Sequence, residues 1–209
     1  MFSPLLWASL AMASGFCEVN GDRDRAFMRN SYVELGLGPE GAFGEAGWPS
    51  GWHYRSNSSQ FGFVANPQKD GWANFYGDFF SPGSPLEGWG LKVDGVPVAN
   101  FNGGGAGIGG AIGEPECEID LCGNVGSAVE WHGAYGALAI GIQYGVVNDE
   151  IYIVQTVTIE NKGTTTYNDV YWFRNVDPDN AVMTGRGYAT TNLIVSQPDA
   201  TSDLAAVKA

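Results

Sequence analysis

Residues 133–160 read GAYGALAIGIQYGVVNDEIYIVQTVTIE. Ile140, Ile142, Tyr144 and Val146 alternate with smaller or polar residues up to a turn at Asn148-Asp149. Beyond it, Ile151, Ile153, Val157 and Ile159 fall on one face and Tyr152, Val154, Thr156 and Thr158 on the other. A period of two on both sides of an Asx turn is the pattern of an antiparallel hairpin, and β-branched side chains suit its pleated surface. A helix would instead group apolar residues three and four apart.

The same alternation recurs on both sides of this segment. Ser31–Leu37 places Val33, Leu35 and Leu37 together, and Gln60–Ala65 does so with Phe61, Phe63 and Ala65. A further element is predicted over Trp72–Phe80, before the turn-rich Ser81-Pro82-Gly83-Ser84-Pro85. Trp89–Val93 and Val96–Phe101 flank Asp94-Gly95, a two-residue connection suited to a hairpin turn with positive φ. Pro97 has no amide to donate and marks an edge or a bulge. Tyr167–Val176 and Tyr188–Val195 read as strands, and Asp199–Leu204 as the start of a short helix or a linker. No amphipathic helix alternates with these strands. The expected fold is all-β, an antiparallel β-sandwich with long loops and little helix.

The 209 residues suffice for one large core, and no Ser/Pro-rich or charge-rich linker divides them. Residues 23–209 are therefore read as a single domain, open to continuation beyond Ala209. The 31 glycines follow no G-X-Y period and point to turns, bulges and close backbone approaches. In NGGGAGIGGAIG, residues 102–113, the Gly105–Gly110 spacing looks superficially like a phosphate loop. Pro115 leaves no room for the helix that such a loop needs, so a flexible or close-packed β connection is expected.

A formal charge of −13, from 23 acidic and 10 basic residues, repels phosphate backbones and argues against a nucleic-acid partner. The basic residues Arg23, Arg25 and Arg29 interleave with Asp22 and Asp24 and read as a solvated segment. Within residues 1–22, the apolar run Phe2–Phe16 is too short to span a membrane. It reads as a signal-like segment lacking a basic start, or as an N-terminal strand. On the first reading the chain is secreted or held at the cell surface.

Chemistry-bearing residues are sparse in pattern. His53 and His132 lie in no zinc spacing, no G-x-S-x-G elbow is present, and both histidines are assigned structural or surface roles. Cys117 and Cys122 would close a small disulfide loop in an oxidising compartment, while Cys17 ends the apolar run. Asn175, Asp177, Asp179 and Asn180 bring hard oxygen donors to one loop, the most defensible place for calcium; Asp70 and Asp78 bracket a weaker one. The aromatic-rich stretch Trp48–Trp89 mostly feeds the core, with Trp72, Asn74 and Tyr76 forming the candidate carbohydrate platform. Asn57-Ser58-Ser59 is a glycosylation sequon. These features suggest an extracellular structural or adhesive domain that contributes to a surface assembly or filament, through self-assembly or other surface proteins. The alternatives are a carbohydrate-binding module, with polysaccharide as ligand, and a fragment of a secreted polysaccharide-active enzyme.

Overall fold

The computed structural model describes residues 16–19, 24–54, 59–75, 78–80, 87–176, 193–196 and 206–208. Among these residues the protein is all-β, with no helix, and its antiparallel sheets pack as a β-sandwich-like fold. No helix among them is long and apolar enough to cross a membrane.

The first sheet runs β1 (Phe16–Val19), β2 (Ala26–Arg29), β3 (Val33–Leu37) and β4 (Phe63–Ala65) in chain order. The second centres on β10 (Asn124–Tyr135). On one side of β10 are β11 (Leu138–Val147) and β12 (Ile153–Asn161), and on the other β8 (Gly110–Ile112) and β9 (Glu116–Leu121). The third has the order β13 (Val170–Val176), β5 (Glu87–Val93), β6 (Val96–Phe101) and β7 (Gly105–Ala106). A two-stranded ribbon pairs β14 (Leu193–Ser196) with β15 (Ala206–Lys208).

Three two-residue turns set the hairpin registers. Asp94 and Gly95 (φ 47° and 88°), and likewise Cys122 and Gly123 (55° and 87°), are both left-handed, as a type I′ turn requires. Gly136 alone is left-handed (φ 59°) in the turn that joins Tyr135 to Leu138. Pro97 sits opposite Lys92 on β6, beyond the stretch that β7 covers, so its missing donor falls on an open edge. The glycine-rich segment supplies β7 and β8. Gly110 is held without a side chain because a Cβ there would run into the Trp131 ring.

The main core lies between the sheets and includes Met28, Leu35, Trp89, Leu91, Ile140 and Ile142, with Trp89 set edge-on to Trp131 at 4.9 Å. A tight turn packed against it accepts hydrogen bonds from polar groups of the core. Trp131 Nε1 donates to Pro39 O at 2.8 Å, and Trp89 Nε1 (2.9 Å) and Asn100 Nδ2 (3.1 Å) both donate to Glu40 O. Tyr144 donates its hydroxyl to Gly41 O. Gly41 (φ 70°) can occupy this turn because a Cβ would sit 2.9 Å from Trp131 Cγ.

Two expectations are corrected. Ala26, Phe27 and Met28 are at most 1% exposed and form a core strand, not a solvated segment. The flanking arginines are held by polar partners: Arg25 donates to Ala46 O, and Arg29 lies 3.7 Å from Glu34. Of the strand expected over Trp72–Phe80, residues 71–74 form a turn and Asp78 makes an isolated bridge to Val64.

Candidate interaction surface

Trp72 does not stand free as a platform. It occupies a left-handed position (φ 67°), donates Nε1 to Ser31 O at 3.0 Å, and stacks one ring face on His53 at 4.0 Å. It borders a second aromatic cluster, built on Phe27, Trp52 and Phe61, on the side of the first sheet away from the main core. Asn74 is exposed and donates to Asp70 Oδ2 at 2.7 Å; Tyr76 lies outside the described residues. His53 is tied down by Nδ1 at 2.9 Å from Oε1 of the buried Glu34, which also accepts the His53 amide. Asp78 has a backbone role as well, accepting the amides of Gly62, Phe63 and Phe80.

Cys117 and Cys122 are free, exposed thiols, which corrects the expected disulfide. Cys117 stands opposite Ser127, whereas Cys122 sits in the hairpin turn at the end of the same strand. Five residues of extended chain separate them by roughly 15 Å. A bridge needs Cα atoms within about 7 Å. Of the candidate calcium ligands, Asn175 lies on β13, and Asp177, Asp179 and Asn180 lie outside the described residues, as does Asn57 of the sequon. No cluster of three or more metal-ligating side chains occurs among the described residues.

Among the described residues, the third sheet exposes three aromatic side chains on one face. Its inner face packs Trp89 and Leu91 into the core. On its outer face the cross-strand rows are Asn175–Gly88–Phe101 and Phe173–Gly90–Ala99, followed by Tyr171–Lys92–Pro97. Phe101, Phe173 and Tyr171 are 39%, 43% and 58% exposed. The Phe173 ring leans across β5, where a Cβ on Gly90 would lie 2.5 Å from its Cζ, and the Phe101 ring lies across Gly105. Between them is a recess of about 260 Å³, with Gly88 and Ala99 on its floor and Asn175 at its rim.

Beneath this face β13 is bolted to the core. Arg174 Nε lies 2.5 Å from Glu87 Oε1, and Glu87 Oε2 accepts the Phe43 amide at 2.6 Å. The guanidinium also reaches the Tyr144 hydroxyl at 3.3 Å and sits 4.7 Å above the Phe43 ring. Burial pushes the Glu87 carboxyl pKa up, and it pushes the Tyr144 phenol up to about 12. Burial works against the Arg174 charge, but the Glu87 carboxylate and Tyr144 outweigh it and raise the guanidinium pKa.

The outer face of the second sheet has a different character. An open groove of about 470 Å³ there is lined by Glu130, His132, Gln143, Thr156 and Thr158. His132 Nε2 lies 2.9 Å from Glu130 Oε2, and both side chains are largely solvated. No family model, no curated protein and no solved structure matches this chain.

Proposed function

We propose that this chain is a non-enzymatic β-sandwich domain that works by association, as a structural or adhesive module of an extracellular surface assembly. The observation carrying this reading is a pair of long, unguarded edges. Among the described residues, β12 (nine residues) and β13 (seven) are each the last strand of a sheet. Soluble proteins commonly blunt such edges with Lys, Pro, bulges or very short strands. The only charge in β12, IVQTVTIEN, is Glu160 near its end, and the only one in β13, VYWFRNV, is Arg174, which turns inward to Glu87. Ile151, Tyr152, Val170 and Val176 add exposed apolar surface beside these edges. An added strand would gain main-chain hydrogen bonds along either edge and cover that surface.

Light scattering and negative-stain imaging of the native chain test the proposal. Regular oligomers or fibres are expected, and Val170→Lys/Val176→Lys, which places the common edge-blocking residue at both ends of β13, disperses them. A monomer at all concentrations, in both the native chain and the variant, refutes it.

A further inference from the structure

We infer that the outer face of the third sheet is a sugar-binding surface, which takes a pyranose ring of a polysaccharide chain in the recess between Phe101 and Phe173. This goes beyond association through the strand edges: it uses the outer side-chain face of β13, β5 and β6 instead of the main-chain edge of β13.

The glycine pattern creates the site. Gly88 and Gly90 occupy the outward positions of β5 where other residues would raise side chains from the sheet. The Phe173 ring fills part of that space above Gly90, while the Phe101 ring lies over Gly105 on the other side of its strand. Both residues stay partly exposed, Phe101 at 39% and Phe173 at 43%, and line a hollow of about 260 Å³. Pockets for drug-sized ligands begin near 300 Å³. This one therefore suits a single ring.

A pyranose presents a C–H face and a rim of hydroxyls. The C–H face matches the flat, exposed aromatic rings, and the Asn175 amide at the rim of the hollow can both donate to and accept from hydroxyls. A protein hot spot, by contrast, buries a projecting aromatic group in a deep, desolvated pocket. Here two partly exposed rings line an open hollow. Electrostatics supports the same occupant. The three cross-strand rows of this face carry no carboxylate and one cation, Lys92, on a chain whose net charge is −13. Glu87 also lines the hollow, but its carboxylate is fully buried against Arg174, so a neutral sugar chain meets no exposed carboxylate there.

Affinity electrophoresis of the full chain through gels containing hydroxyethylcellulose, xylan, galactomannan or polygalacturonate tests the inference. At least one polymer is expected to retard the protein. Phe101→Ala and Phe173→Ala should each weaken that binding about tenfold, as loss of a central aromatic contact does. Asn175→Ala should weaken it less, Phe173→Trp should preserve it, and His132→Ala, on the second sheet, should leave it unchanged. Thermal unfolding checks that each variant folds; should an alanine variant fail to fold, Asn175→Ala and Phe173→Trp carry the test. Retardation by none of the four polymers, or binding undiminished by the ring variants, overturns the inference. So does a Phe173→Ala variant that loses self-association and keeps sugar binding, which assigns the face to a protein contact. Oligomer size measured without sugar reports on the association reading separately.

Discussion

Replacing Arg174 by methionine removes the cation from a carboxylate that has no solvent contact. Glu87 has a side-chain exposure of 0%, its Oε1 lies 2.5 Å from Arg174 Nε, and its Oε2 keeps the Phe43 amide at 2.6 Å. Breaking a buried pair from one side costs about 3–5 kcal/mol because a charge is left unpaired. The surviving Phe43 bond places Arg174→Met near the lower end, about 3 kcal/mol. Burial already raises the Glu87 pKa above its ordinary 4.5, and loss of Arg174, which lowers it, raises it further. A carboxyl with a raised folded pKa contributes its stability below the unfolded value and loses it as pH rises through the folded one. The deficit of Arg174→Met is therefore largest at neutral pH and shrinks as pH falls toward 4.5. Glu87→Gln/Arg174→Met, which buries no unpaired charge and keeps an acceptor for Phe43, should recover at least about half of the loss. Urea unfolding followed by tryptophan fluorescence at pH 7 and pH 5 gives these values. A loss under about 1 kcal/mol at pH 7, or one equal at both pH values, would refute the account of this pair.

The remaining predictions concern packing, turn chemistry and thiols. Gly110→Ala drives a Cβ into the Trp131 ring and toward His132 O and should cost about 1–3 kcal/mol in the same unfolding assay. Asp94 accepts the Asn168 and Asp169 amides at 2.8 and 3.0 Å, and these bonds, that from Asp169 foremost, hold its carboxyl pKa below 3.8. Asp94→Asn should lower the melting temperature at pH 7, and the gap from the native protein should close as pH falls below 3.8 and through the depressed folded value. Iodoacetamide applied without reductant or denaturant should alkylate both Cys117 and Cys122, as peptide mass mapping would show. Protection of both until reduction would contradict the strand register.

How far the chain could be read from its sequence depended on where the deciding partners lie. The Asp94-Gly95 hairpin and the alternation through Ile140–Val146 and Ile153–Ile159 are local signals, and the structure follows them. β2 was hidden because Arg25 and Arg29 bracket Ala26-Phe27-Met28, and their charges mask three buried residues. Gly136 lies inside one long apolar segment that gives no sign of a break, although its left-handed turn divides β10 from β11. The Cys117–Cys122 spacing gives no separation in space, because the same five residues span very different distances as a loop and as a strand.

A tryptophan beside Gly71 reads as an exposed platform at Trp72, yet the fold gives it His53 for a stacking partner. The surface formed by Phe101 and Phe173 was illegible because it requires the β13–β5–β6 register, which brings both outward beside Gly88 and Gly90. The one local hint was Gly88-Trp89-Gly90, a large residue between two empty positions, which marks a strand whose outer face another strand's side chains must cover.

Association through the strand edges is tested most directly by hydrogen–deuterium exchange of the native chain at low and high concentration. The amides of β12 and β13 that face away from β11 and β5 should become protected at high concentration, while the paired amides of β10 and β11 stay unchanged. Exchange at β12 and β13 that is independent of concentration, across a range where light scattering shows one species, would contradict the association reading.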